Sequence, residues 1–377
     1  MKITDLRLVP LRVVQDMGTL APAWEPGAVM QFARGGGALL EIHTDEGLVG
    51  IGPAAKGRVL EVARSMLLGQ DPSDVEFHFE RMRFSMRDQR GAAAVDIALW
   101  DLRAKVAKQP LHRLLGSERD RVPAYASMVL LSSPSERALL AEALVEQGFR
   151  ALKLRLHFDT LRGDVETVAR VRAAVGPDVT ILCDANQAQS PGEWQPGVRW
   201  DYARALQTAR ELNELGVGWL EEPLPRYAYT ELARLCDETD LPIAGGENLR
   251  LQEFGPLLQH HAYDIVQPDA MVVDGLTGLR RVFELARLHG TGIAPHHGGR
   301  GIGTIAHMHA VAAAPDVPFV EVLHDPPIGD FAHGFAMLRN PPVLDAVGNF
   351  VLPTGDGLGL DVDPDFHDRT GKSPGPY

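Results

Sequence analysis

Cysteine is scarce in this chain. Only Cys183 and Cys236 occur among 377 residues, which supports neither a disulfide framework nor a zinc cluster. Long apolar runs are missing too. None approaches the ~18 residues of a membrane span, so no spanning segment is expected. The opening MKITDLRLVPLRVV alternates like a strand and lacks the unbroken apolar core of a signal peptide. A cytoplasmic location is therefore expected. No basic cluster stands out, and the formal net charge is −13, which argues against nucleic-acid binding. Overall acidity does not exclude an anionic substrate, because local Lys, Arg and metal charges can outweigh the global field. What remains is the composition of a soluble globular protein, 23% charged and 45% hydrophobic. Its length allows one large domain and one smaller one.

Residues 1–15 and 37–54 read as strands, the second turning at Asp45-Glu46-Gly47. Between them, Gly18, Pro22, Pro26, Gly27 and Gly35-Gly36-Gly37 mark a long loop, read as a lid. Residues 56–116 have helical character. The Ala-rich stretch Gly91–Lys108 is apolar on more than one face, so it should be a buried helix with Trp100 packed inside. Residues 1–120 thus form an expected α+β domain.

From residue 121 the pattern changes. Short apolar segments recur near 122, 150, 179, 217, 241, 263, 291 and 318, separated by helical stretches. Eight such units predict an α/β fold with a closed parallel barrel over residues 121–340. The last barrel helix is unclear after Glu321. Residues 340–364 are expected to return to the small domain, and 365–377 to fray.

Three consecutive strand ends, the third to the fifth, carry acids in an apolar-then-acidic pattern: Asp184 in ILCDAN, Glu221 in GWLEEP and Glu247 in IAGGEN. In a (β/α)₈ barrel the C-terminal strand ends converge on one mouth. Three crowded carboxylates there call for a hard cation, and an all-oxygen set suits Mg²⁺. Glu222 competes with Glu221 on spacing alone. Lys153 and Arg155 lie two apart on one strand, hence on one face. Lysine can titrate as a base, whereas arginine stays charged and binds or stabilises anions. Asp269 ends the sixth strand and His296 the seventh, so a carboxylate can fix an imidazole tautomer there. His297 competes, but His296 directly ends the apolar segment. Glu321 ends the eighth strand. A metal and cations facing one carboxylate suit abstraction of the proton beside it, which generates an enediolate.

Together the buried helix 92-AAAVDIALWDLRAK, Lys153-x-Arg155, DAN, EEP, GEN, QPDAM, PHHGG and FVE resemble the enolase superfamily, mandelate racemase subgroup, over essentially the whole chain. The resemblance implies a (β/α)₇β modified TIM barrel with an α+β capping domain. It implies Mg²⁺ held by Asp184, Glu221 and Glu247, and so selects Glu221 over Glu222. It implies an Asp269–His296 acid/base pair, a Glu321 hydrogen bond to the substrate carboxylate or enediolate, and substrate choice by loops near 17–35 and 52–58. An anionic small-molecule substrate and a homo-oligomer are the expected partners. Where the subgroup often has a second lysine, this chain has Arg155. Two-base racemisation is thereby disfavoured and a one-base elimination favoured, as in the acid-sugar dehydratases. A racemase or epimerase of a 2-hydroxy acid and a cycloisomerase are the alternatives, with a non-enzymatic barrel further behind.

Overall fold

The computed structural model describes residues 1–55, 57–86, 88–117, 119–188 and 197–368. The chain begins with β1 (Ile3–Pro10), β2 (Val13–Leu20), β3 (Met30–Gly35), β4 (Ala38–Thr44) and β5 (Val49–Gly52). β1, β4 and β5 make an antiparallel sheet, with the β4–β5 turn at Asp45–Gly47. The expected long loop is a correction. Most of it is a second hairpin, β2–β3, and residues 21–29 and 36–37 stay irregular. Register shifts between Val13 and Gln15 and between Asp16 and Gly18 break the alternation that would have marked the strand.

Four helices follow: α1 (Gly57–Leu67), α2 (Val75–Ser85), α3 (Gln89–Val106) and α4 (Leu111–Leu114). α3 is buried as the alanine pattern requires. It lies directly on β5, where a Cβ at Gly50 would strike the Ala98 carbonyl and one at Gly52 the Ala94 carbonyl. Only glycine permits that approach. Asp101 of α3 then accepts the Ile51 and Leu358 N–H groups, tying the small sheet to the returning tail.

The barrel strands are β6 (Arg121–Ser127), β7 (Ala151–Arg155), β8 (Thr180–Asp184), β9 (Leu220–Glu221), β10 (Ile243–Gly245), β11 (Ile265–Val266), β12 (Gly292–Ile293) and β13 (Val320–Leu323). β6 through β12 pair in parallel in chain order, and β13 pairs β6. Between these strands run α5 (Pro134–Glu146), α6 (Leu161–Val175), α7 (Tyr202–Glu214), α8 (Tyr229–Glu238), α9 (Phe254–Gln259), α10 (Leu276–His289) and α11 (Ile302–Ala312). After β13 the described residues hold a 3₁₀ turn at Phe331–Phe335 in place of an eighth barrel helix. This is a modified TIM barrel, and it explains the unclear pattern after Glu321.

The floor of the barrel is apolar: Tyr125, Leu182, Trp219, Ala244 and Ala294 pack together. One layer above, alternation turns Lys153, Asp184, Glu221 and Glu321 inward. The tail first adds β14 (Val343–Leu344) and β15 (Asn349–Val351), the latter antiparallel to β6. It then crosses to the N-terminal sheet, where Phe366 O accepts the Arg12 N–H and the Asp368 N–H donates to Pro10 O. Residues 365–368 are therefore held in place, a correction to the expected fraying. The rest of that expectation, 369–377, lies outside the described residues. No helix among the described residues is long and apolar enough to cross a membrane.

Candidate active site

Asp184, Glu221 and Glu247 stand on consecutive strand ends, as their spacing predicted. All three are buried, and each offers an oxygen within 4.8 Å of the others. Asp184 lies opposite Arg155 on one side and Glu221 on the other in the strand register. Asn186 secures Asp184 through N–H to Oδ1 at 2.8 Å and Nδ2–H to Oδ2 at 3.0 Å. Glu221 accepts from Gln267 Nε2 at 2.7 Å, and Glu247 from Asn248 Nδ2 at 2.7 Å. Burial raises the Asp184 carboxyl despite Arg155 and Lys153. Burial, reinforced by Asp184, raises Glu221 as well. Oxygen donors this close, in a dry pocket that disfavours their charge, fit a hard divalent cation. Glu222 is buried at φ +47 and is not among these three oxygen donors.

Lys153 is wholly buried. Its ammonium donates to Glu221 at 2.8 Å and pairs with Glu321 at 2.8 Å. Burial disfavours its charge, but Glu221 and Glu321 outweigh that and raise its pKa. Arg155 is committed in every direction. Nε donates to Met128 O at 2.9 Å, Nη2 to Ser127 Oγ at 3.0 Å, and Nη1 to Asp184 and Asn186. The Trp24 indole lies 4.6 Å from its guanidinium carbon.

His296 bridges two carboxylates. Nδ1 is 3.0 Å from Asp269 Oδ2, and Nε2 is 3.1 Å from Glu247 Oε2. Burial lowers its pKa, but Glu247, Glu321 and Asp269 together push it up to about 10. Asp269 also takes the Met271 N–H at 2.8 Å, and it is held well below the usual carboxylate range. Burial works against charge on Glu321, yet Lys153 and His296 hold it below its ordinary value. Its second oxygen accepts the His297 N–H at 3.0 Å, a bond linking the seventh and eighth strand ends. Burial lowers the His297 ring to about 4, so it is neutral.

Asp269, His297 and His307 form a second cluster of ligand-type atoms. It is poorly suited to a cation. His307 Nδ1 lies 2.8 Å from Gly303 O, and Nε2 is 3.1 Å from the Ala270 N–H, so that ring's donor and acceptor are both engaged.

Several contributors escaped the sequence reading. Gln267 sits two before Asp269 and reaches Glu221; His157 sits two beyond Arg155 and lies 3.1 Å from Asn186 Oδ1. Extending the period of two along each strand would have found both. Trp24 had no such signal, because only the tertiary fold lays its loop across the barrel. That loop is fixed by the Ala23 N–H to Val129 O at 2.9 Å. Trp24 packs beside Leu20, Phe32, Val129 and Leu323, over the ends of the first and eighth strands.

Residues 136–366 match the enolase C-terminal domain-like family, and residues 12–116 match the mandelate racemase / muconate lactonizing enzyme N-terminal domain. The chain belongs to the mandelate racemase/muconate lactonizing enzyme family of the enolase superfamily, a family of enzymes. It is 31% identical to an arabinonate dehydratase of Saccharolobus solfataricus, over 85% of this chain and 87% of that one. It is 32% identical to a D-galactarolactone cycloisomerase of Agrobacterium fabrum, over 90% and 92%. The magnesium-complexed D-glucarate dehydratase of Agrobacterium tumefaciens superposes with a TM-score of 0.81 at 26% identity, covering 97% of this chain and 98% of that one.

Proposed function

We propose that this enzyme is a Mg²⁺-dependent acid-sugar dehydratase with His296 as its base. One observation carries the choice of a single base. Lys153 and Arg155 are each paired with carboxylates at the barrel axis, whereas His296 has Nδ1 oriented by Asp269 and Nε2 held only by Glu247, a carboxylate that a bound cation would claim. The arabinonate and glucarate dehydratases among its relatives support the substrate class. Asp184, Glu221 and Glu247 would hold Mg²⁺. Bound there, the ion supplies a Lewis-acidic charge for the substrate carboxylate.

The remaining chemistry belongs to side chains. With Glu247 committed to a cation, the largest charge that raises His296 would be drawn away, and its neutral Nε2 would take the α-proton; Asp269 keeps the ring's tautomer through Nδ1 and stabilises the imidazolium. Lys153 sets a fixed positive charge below the developing enediolate. Glu321 anchors that lysine and, as an ionised group, accepts hydrogen bonds before it can donate one. Arg155 clamps Asp184 and serves as a fixed cation. The imidazolium then returns its proton to the departing β-hydroxyl, which leaves as water. The enol product tautomerises to a 2-keto-3-deoxy acid. One imidazole serving both transfers requires a syn elimination. The same reading assigns substrate selection to residues 1–120 with the returning tail, and chemistry to residues 121–340, in a cytoplasmic homo-oligomer.

A sugar-acid library incubated with Mg²⁺ and read out by a carbonyl reagent tests this. Formation of 2-keto acid from at least one member is expected. Epimer or lactone interconversion without keto acid would replace the dehydratase reading with a racemase or a cycloisomerase.

A further inference from the structure

The mouth of the barrel is not uniform. Trp24 and its apolar neighbours cover the side of the first and eighth strands. Across from them, a cleft of about 660 Å³ opens between the start of α3 and the loops after β9, β10 and β11. That volume suits a small molecule, for which ~300–1,000 Å³ is usual. Gln89 and Arg90 line it from α3, Arg226 from the β9 loop, Asn248 and Arg250 from the β10 loop, and Met271 from the β11 loop. Arg90 and Arg250 thus bring two exposed guanidinium-bearing side chains to the cleft, while the buried Arg226 has its charge set against Glu222.

The one carboxylate in the lining, Glu253, offsets only one of the two exposed guanidinium charges. Its Oε1 accepts the Tyr227 hydroxyl at 2.8 Å, and its Oε2 accepts the Arg250 backbone N–H at 2.7 Å. Among the described residues, no carboxylate lies within the 4.0 Å of an ion pair from the Arg90 or Arg250 guanidinium. The cleft also adjoins the acid/base site. Asn248 donates to Glu247, and the Met271 N–H donates to Asp269.

We propose that this cleft is an anion site, taking a carboxylate or phosphate group of a small molecule through Arg90 and Arg250. The planar fork of arginine matches both groups, and amide side chains such as Gln89 and Asn248 add neutral donors. Two sources offer that chemistry. One is the far carboxylate of a diacid whose near carboxylate sits at Asp184, Glu221 and Glu247, and this source rests on the function proposed above. The other is a free anion bound beside the site, which does not.

The test uses the Mg²⁺-loaded protein and calorimetric titration with three probes: galactarate, a six-carbon diacid; galactonate, its monoacid counterpart; and inorganic phosphate. Both Arg90 and Arg250 are exposed, so the double variant Arg90→Gln/Arg250→Gln should fold, with thermal melting as the check and Arg250→Gln alone as the reserve variant. Galactarate weakened by ~10-fold or more with galactonate unchanged, the scale of lost charge-assisted hydrogen bonds, supports the site with the diacid as source. Phosphate weakened likewise, while galactonate binds fully in its presence, supports the site with a free anion as source. Affinities that match between wild type and variants for all three probes, absent binding included, overturn the proposal. Equal weakening of all three overturns it as well, since the monoacid has no second anionic group. Solvent-deuterium exchange at the α-carbon is run alongside. No exchange from any sugar acid, with phosphate binding still lost in the variant, ends the dehydratase reading and leaves the cleft standing.

Discussion

Replacing His296 by asparagine is the sharpest perturbation of the proposed chemistry. The imidazole is held at both ends, 3.0 Å from Asp269 and 3.1 Å from Glu247. Asparagine keeps a polar group near Asp269 but has no titratable nitrogen. Losing a positioned acid/base group costs ~10²–10⁴ in rate, or about 3–5 kcal/mol of barrier. The cation ligands keep their own supports from Asn186, Gln267 and Asn248, so Mg²⁺ affinity should move by less than ~10-fold, about 1.4 kcal/mol. The loss should therefore appear in kcat and in α-proton exchange, with little change in metal titration. Asp269→Asn should move the same way, because the imidazolium loses its counter-charge. The assay is solvent-deuterium incorporation at the α-carbon of a substrate found in the library screen. Exchange at the wild-type rate in His296→Asn would refute the assignment and shift it to Lys153, whose ammonium would first have to escape Glu221 and Glu321.

Other outcomes follow from single contacts. EDTA should abolish turnover and Mg²⁺ should restore it; full activity in a rigorously metal-free preparation would contradict the role of Asp184, Glu221 and Glu247. Trp24→Ala removes the ring over Arg155, a contact worth ~0.5–2 kcal/mol, and should raise KM by ~2–30-fold; an unchanged KM would separate the 21–29 loop from substrate binding. Asp96 accepts the Thr277 N–H at 3.0 Å and its hydroxyl at 2.7 Å, joining α3 to α10. Asp96→Ala should cost about 2–4 kcal/mol by leaving buried donors unpaired, read as a lower urea midpoint. His309 is buried, its pKa lowered to about 3 by burial and then by His112. Because its folded value lies below the ~6.5 of an unfolded histidine, its neutral form supports the fold above that pH. That support is lost as pH falls from ~6.5 toward ~3, at up to about 1.4 kcal/mol per unit. His309→Gln should flatten the slope of stability against pH in that window; an unchanged slope would show that the folded ring titrates normally.

Much of the site's layout is legible in the amino-acid sequence. Strand period two put Lys153 and Arg155 on one face, and the apolar-then-acidic rhythm located Asp184, Glu221 and Glu247. All eight barrel strands and the seven helices between them were legible for the same reason: each buries a short apolar segment or stripe that local periodicity exposes. The β2–β3 hairpin was not, because bulges interrupt its alternation. The choice of Glu221 over Glu222 came from the family resemblance and not from spacing.

The sequence by itself determined which residue types stand at which strand ends, since alternation and turn chemistry are local. It also determined that Arg155 stays charged, because guanidinium chemistry needs no context. Tertiary structure alone decided what those residues do to one another. Lys153 meets Glu221 and Glu321 only because the sheet closes, bringing the second, fourth and eighth strands around one axis. Trp24 reaches Arg155 across more than a hundred residues of chain, and Arg90 and Arg250 line one cleft at the seam between α3 and the barrel. Electrostatic coupling falls with distance through a low-dielectric interior, and such distances are set by packing between elements that no local pattern encodes.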